Sequence, residues 1–342
     1  MLIRSRAPLR LGMAGGGTDV SPYCDIYGGN VLSGTIDRYS YATIRTLENS
    51  KVRFVATDIQ KTDELDVSQI YGLRGILDLH HAVYNRMVLD YNNGQGLPIE
   101  ITTYTEAPIG SGLGSSSTMV VAMIKAFAEF LNLQLDNYKI ADLAFQIERI
   151  DCKFDGGRQD HYSAAFGGIN FLEFGSNGKT TVTPLELNKS ILNELESSLI
   201  LCFTGVSRES SKIINEQSTS VHMGSRDQLE AMHSIKSQAQ ILKEAIMCGN
   251  TAQLINSIRL GWEAKKMTSK SITNNKINAI YESAIHAGAL AGKISGAGGG
   301  GYLWFFAPME KKERVLDALT KLHCTVSSCH FTDIGAESWR TP

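Results

Sequence analysis

Thirty-two glycines occur in the 342 residues, and many gather in three places: LGMAGGGTD at 11–19, PIGSGLGSSS at 108–117 and SGAGGGG at 295–301. Glycine admits positive φ and lets another group come close to the main chain. One such cluster reads as a tight turn, but three in a single chain point to backbone held against a ligand. In the middle segment, Gly110, Ser111, Gly112, Leu113 and Gly114 lead into Ser115, Ser116 and Ser117 and then a run of strong helix formers. A glycine loop that opens a helix aims unpaired N–H groups at an anion, and the helix dipole adds positive potential. A phosphate fits there, and one serine hydroxyl could ligate a magnesium ion. Spacing does not choose among the three serines.

Two common phosphate motifs fail. A P-loop needs a lysine after its last glycine, and none follows Gly114. A dinucleotide fingerprint occurs formally at Gly296, Gly298 and Gly301, but YLWFF follows it, which is a buried strand and not a helix.

Lys and Arg total 33 against 35 Asp and Glu, a net charge of −2 that offers no basic field for nucleic acid. No apolar run is long enough to span a bilayer, and the first residues lack the apolar core of a signal peptide. Six scattered cysteines without a CxxC suit a reduced cytoplasmic chain. His323, Cys324, Cys329 and His330 match no common zinc spacing and read as a terminal strand with small apolar cysteines.

Strand patterns fall at 2–11, 30–47, 51–57, 97–106 and 169–174, and helical ones at 75–91, 115–131 and 136–151. After about 188, polar-faced helices dominate at 225–248, 251–267 and 275–287, before a strand–helix–strand finish. Strands first and helices later make an α+β architecture, with a boundary near 185 that separates residues 1–185 from 186–342. No linker intervenes, so the halves should pack closely. The long C-terminal helices and ten methionines suit a homodimer face as well as a core.

Two carboxylates are well placed for phosphoryl transfer. Glu148 ends a helix in AFQIERID, and Asp160 closes the turn FDGGRQD. Magnesium needs oxygen ligands, and a carboxylate can accept the proton of an attacking hydroxyl. Taken singly, Glu148 fits a solvated or ion-paired residue, and Asp160 fits a cap.

Together, APLRLGMAGGGTD (7–19), PIGSGLGSSS (108–117) and KISGAGGGG (293–301) resemble the ordered motifs of the GHMP kinases, the small-molecule kinases named for galactose, homoserine, mevalonate and phosphomevalonate. The resemblance implies a ribosomal S5-like N-terminal domain, a ferredoxin-like C-terminal domain, and ATP between them with its phosphates on residues 110–117. It implies Mg²⁺ on Ser116 and Glu148, and Asp160 as catalytic base with Arg10 near the reacting hydroxyl. Asp19 would bind the sugar together with Gly17 and Thr18, and Gly296, Ala297, Gly298 and Gly299 would shape the phosphate loop. Where galactokinases carry Glu-His before Thr-Asp, this chain has Gly16 and Gly17, which speaks against galactose.

RAPLRLGMAGGGTDVSPY with GGNVLSGTIDRYSYATI is most similar to the bacterial heptose 7-phosphate branch of the family. That likeness implies ATP-dependent phosphorylation of the anomeric C1 hydroxyl of D-glycero-D-manno-heptose 7-phosphate, on a route to GDP-heptose and surface polysaccharide. A phosphorylated acceptor needs a distal cation, for which Arg158, Arg208 and Lys212 are candidates. The alternatives are a kinase for another sugar such as fucose, or for an isoprenoid precursor, and a non-catalytic sugar or nucleotide sensor.

Overall fold

Burial alternates at the start of strand β1 (Leu2–Ala14), at Ile3, Ser5 and Ala7, and its second half is buried on both faces. The change marks the place where the strand passes from a one-sided sheet into the middle of the molecule. The computed structural model describes every residue except 69, 74, 207–210, 223, 224 and 342, and the side chains of 220–222.

After β1 come a short helix α1 (Tyr23–Tyr27) and the long strand β2 (Gly29–Thr46). Strands β3 (Lys51–Ala56) and β4 (Lys61–Asp66), helix α2 (Asp78–Tyr91) and strand β5 (Ile99–Thr105) follow. Helix α3 (Ser115–Phe130) leads to α4 (Asn137–Phe145), which runs on as a wider π-helical turn over Gln146–Asp151. Helix α5 (Gln159–Phe166) and strands β6 (Ile169–Phe174) and β7 (Thr180–Pro184) complete this part. Then come α6 (Lys189–Ser198), β8 (Leu199–Phe203), α7 (Ser211–His222), α8 (Arg226–Met247), α9 (Thr251–Thr268) and α10 (Asn275–Ala287). The chain ends with β9 (Ala291–Ile294), β10 (Tyr302–Phe306), α11 (Met309–Lys321), β11 (Thr325–Ser327) and β12 (Glu337–Arg340).

The first sheet has the order β12-β1-β2-β5-β3-β4, with β6 joining β2 at its other end and β7 pairing with β6. β2 serves both ends because it is 18 residues long: its first part pairs with β6 and its last with β5. The second sheet is β11-β8-β10-β9. The chain passes from the first sheet to the second between β7 and β8, on either side of position 185, and the final strand β12 returns to pair with β1.

Three large cores follow from this layering among the described residues, beside a small cluster of Tyr23, Met232, Ile235 and Ala264. One joins the inner face of the first sheet to α2 and α3, with Ile3, Phe54, Val121 and Phe127. A second lies between the halves, where Leu9, Leu11 and Leu32 meet Leu201, Leu242 and Trp304. The third covers the far face of the second sheet, with Trp262, Ile280 and Phe305. The halves therefore share a core, and burial of large apolar side chains at about 25 cal/mol per Å² holds them together. Ile235 and Leu242 of α8 and Ile258 of α9 are buried in the chain's own interior, while Met247, Leu260 and Met267 of these helices are exposed.

Strand β4 escaped the sequence reading because KTDELD has a single apolar residue, Leu65, and is mostly exposed; it is held as an edge by pairing with β3. The tail also differs from a single terminal strand: β11 is three residues long, and Cys324 and Cys329 are buried as apolar side chains. Among the described residues no group of three or more His, Cys, Asp or Glu is gathered to hold a metal. No described helix is long and apolar enough to cross a membrane.

Candidate active site

Helix α3 begins at Gly114, whose φ of +79° is a left-handed value that favours glycine. The first amides of the helix have no intrahelical acceptor, so they face the space in front of it. The serines divide by orientation. Ser115 donates to Pro108 O at 3.3 Å, and Ser117 donates to Glu148 Oε2 at 2.5 Å. Ser116 makes no side-chain hydrogen bond among the described residues and lines both large cavities described below. Leu113 is buried, and its carbonyl accepts from Arg10 N at 3.1 Å.

The third glycine segment closes against the second. A Cβ on Gly296 would lie 2.7 Å from Gly112 Cα, and one on Gly301 would lie 2.2 Å from Ser111 O. Ser295 Oγ donates to Gly112 O at 2.9 Å, and Tyr302 N donates to Ser111 O at 2.8 Å. Gly296 and Ala297 line the cleft, whereas Gly298 and Gly299 turn toward Ile272. Backbone from the second half thus supports the loop of the first.

Arg10 lies in the doubly covered part of β1 and is almost fully buried. Its Nε donates to Asp160 Oδ1 at 2.7 Å and its Nη1 to Gly112 O at 2.5 Å. Asp160 stands in the first turn of α5 and approaches Gly114 so closely that a Cβ there would meet its Cγ at 3.1 Å. A carboxylate therefore sits beside the helix mouth, held by a guanidinium.

Glu148 is fully buried. Its Oε2 accepts from Ser117 and lies 2.7 Å from His161 Nε2, while Oε1 is 3.3 Å from Arg149 Nη1. Burial pushes this carboxyl's pKa up. The Arg149 charge, the His161 contact and the Ser117 hydrogen bond outweigh that and hold it below the usual carboxylate range. Oε1 accepts no hydrogen bond among the described residues. A buried, ionised oxygen that has an ion pair but accepts no hydrogen bond, lining the same space as Ser116, suits a hard cation that takes its remaining ligands from phosphate and water.

Asp19 is also buried: Oδ2 accepts from Gln159 N at 3.0 Å, and Oδ1 from Gln159 Nε2 at 2.9 Å and Gly17 N at 3.1 Å. It faces the same cleft as Gly17. Thr18 does not; its hydroxyl donates to Gly15 O and Asn30 O and ties the turn to β2. Arg158 is likewise turned away, donating to Gly178 O at 3.1 Å and covering the Phe145 ring at 4.8 Å. Lys212 is exposed and outside the cleft lining, and Arg208 lies outside the described residues. Sequence reading missed Arg149, Gln217 and Lys265, all of which line the cleft. Gln217 and Lys265 sit in helices without a motif, where nothing in the sequence distinguishes them from surface residues.

Two connected spaces result. The smaller, about 130 Å³, is bounded by Arg10, Asp19, Gly114, Asp160 and Lys265. The larger, about 720 Å³, is walled by Ile59, Leu77, Leu79, Met119 and Phe154 and has Glu148 at one side. Gly110, Ser116, Arg149 and Asp155 border both. The larger space can take a nucleoside, the junction its phosphates, and the smaller one a compact polar molecule.

Residues 78–168 match the GHMP kinases N terminal domain, and residues 242–324 the GHMP kinases C terminal domain. Over 338 residues, 99% of each chain, the sequence is 43% identical to a D-glycero-alpha-D-manno-heptose 7-phosphate kinase of Campylobacter jejuni. Among solved structures, a D-glycero-D-manno-heptose 1-phosphate kinase from Bacteroides thetaiotaomicron superposes with a TM-score of 0.84 at 40% identity, with 99% of both chains covered. A putative sugar kinase from Campylobacter jejuni gives 0.82 at 42%, covering 99% of this chain and 98% of that one.

Proposed function

The chain belongs to the GHMP kinases, and from that premise we propose that it transfers the γ-phosphoryl of ATP to the anomeric C1 hydroxyl of D-glycero-D-manno-heptose 7-phosphate. The observation that carries the chemistry is the placement of Asp160 against Gly114, at the mouth of the phosphate-binding helix and within 2.7 Å of Arg10. The heptose rests on the 43% identical relative and its name.

Adenosine would occupy the larger space against Ile59, Leu77 and Met119. The triphosphate would run along the amides of residues 110–117, where a low-dielectric site makes fixed N–H donors effective. Ser116 and Glu148 would hold Mg²⁺, which when bound offsets the charge on the phosphate oxygens. Asp160 accepts the proton of the attacking hydroxyl. An aspartate is a weak base toward an alcohol, so the proton leaves late, once the forming P–O bond has acidified the oxygen. Arg10 keeps Asp160 facing the acceptor and favours negative charge on that oxygen. Asp19, oriented by Gln159, takes a sugar hydroxyl. We place the protein in the cytoplasm on its six free cysteines and its use of ATP.

The test is a panel of acceptors with ATP and Mg²⁺, scored by ADP release and by phosphorus NMR of the product. Heptose 7-phosphate should give a 1,7-bisphosphate. Faster turnover of fucose or mevalonate would replace the acceptor, and no ADP with any member would favour the sensor.

A further inference from the structure

We propose that Lys265 binds the distal anionic group of the acceptor and so makes the site select phosphorylated over neutral sugars. The proposal rests on the kinase reading above and adds the residue that sets its substrate class.

Lys265 lies on α9, a helix that carries no glycine motif, and is only 3% exposed. Even so, it lines the small cleft beside Asp19 and Gln217. An ammonium has three N–H donors. Among the described residues Lys265 uses one, to Gly16 O at 3.2 Å, and no carboxylate lies within ion-pair distance. The other cleft cations are committed. Arg10 is spent on Asp160, Gly112 O and Ser295, and Arg149 on Glu148, Ser117 and Gly157 O. A buried ammonium with unused donors is costly, and an anion entering the cleft would offset that cost.

The position assigns the anion to the acceptor. The nucleotide space and the small cleft meet at Gly110, Ser116, Arg149 and Asp155, whereas Lys265, Asp19 and Gln217 border the small cleft and not the nucleotide space. Lys265 therefore stands on the side away from the nucleotide, where a group at the far end of the sugar would come. Its helix end is held in place: Thr268 Oγ1 donates to Lys265 O at 2.8 Å, and Gln217 Nε2 donates to Thr268 Oγ1 at 2.7 Å. Arg158, the cation suggested by the sequence, faces Gly178 and Phe145 instead.

The experiment compares full-length wild type, Lys265→Met and Lys265→Arg with ATP, Mg²⁺ and either heptose 7-phosphate or unphosphorylated heptose. A charge-assisted contact of about 2 kcal/mol corresponds to roughly 30-fold. The Met variant should raise the KM for heptose 7-phosphate by about that factor and lose at least ten times more efficiency with it than with heptose. Its KM for ATP should stay within about two-fold, and the Arg variant should recover much of the loss. Equal losses on both acceptors, or none on either, overturn the proposal. If wild type phosphorylates no heptose, the acceptor assignment has failed separately. Calorimetric titration with hexose 6-phosphates then decides: binding to wild type but not to the Met variant supports the role of Lys265, and any other pattern overturns it.

Discussion

Arg10 Nε lies 2.7 Å from Asp160 Oδ1, so a strand that starts the chain and a helix 150 residues later are tied at one point. The contact sits where the 110–114 glycine loop, the third glycine segment and the small cleft converge, since Arg10 also donates to Gly112 O and Ser295 Oγ. One guanidinium thereby fixes the Asp160 carboxylate and the loop relative to each other.

Replacing the base tests its role directly. Asp160→Asn keeps the shape and the Arg10 hydrogen bond but removes the proton acceptor. kcat should fall by roughly 10²–10⁴, while the KM values for ATP and sugar change little. Near wild-type turnover would remove Asp160 from the chemistry.

Gly301 does not line the cleft, yet its φ is +85° and a Cβ would meet Ser111 O at 2.2 Å. Gly301→Ala should therefore both destabilise the protein, by on the order of 2 kcal/mol, and raise the KM for ATP by displacing the loop. Chemical denaturation and ATP kinetics read the two effects; lost stability with an unchanged KM would show that the loops are not coupled.

Glu148→Gln should raise the Mg²⁺ concentration needed for half-maximal rate by about ten-fold or more, and should lower stability by leaving His161 and Arg149 without a carboxylate. Because the folded-state pKa of Glu148 is depressed, its contribution is present above the ordinary carboxylate pKa and is lost only as pH falls through and below that range. Acid unfolding of the variant should lack this component.

Lys265 gives the opposite pH signature. Burial, opposed by Asp19 and helped by the charge of Arg10, lowers its pKa to about 8, and Lys293 is pushed down by its own burial and then by the charges of Lys265 and Arg10. Between about 8 and the ordinary lysine value the unfolded chain binds more protons than the folded one, so stability rises with pH there. Lys265→Met should thus be the more stable protein at pH 7 without ligand, by on the order of 3 kcal/mol, with the gap narrowing toward pH 10. Denaturant melts at the two pH values measure it; a Met variant less stable at pH 7 contradicts the cost assigned to the buried charge.

Arg158→Ala should leave the KM for the phosphorylated acceptor within about two-fold, because its guanidinium faces Gly178 and Phe145. A ten-fold increase would bring Arg158 back as the distal cation.

Much of the site could be read in the chain because it is made of backbone. A loop that presents amides needs glycine at positive φ, and that need is written at Gly110, Gly112 and Gly114. Strands such as β3 and helices such as α3 show in their apolar spacing for the same local reason. β4 did not, since its pairing with β3 and not its composition makes it a strand. A serine triplet announces a helix start, but which hydroxyl is free depends on Pro108 and Glu148, which lie elsewhere in the chain.

The sequence alone therefore determined what local geometry demands: the three glycine loops, the helix that opens behind the second, and the acidic residues near it. Tertiary structure decided how distant side chains are spent. It buried Glu148 against His161, set Arg10 on Asp160, turned Arg158 toward Gly178 and Phe145 and left Lys265 with unused donors in the cleft. A cation's partners are set by folding in space, and spacing along the chain carries no record of them.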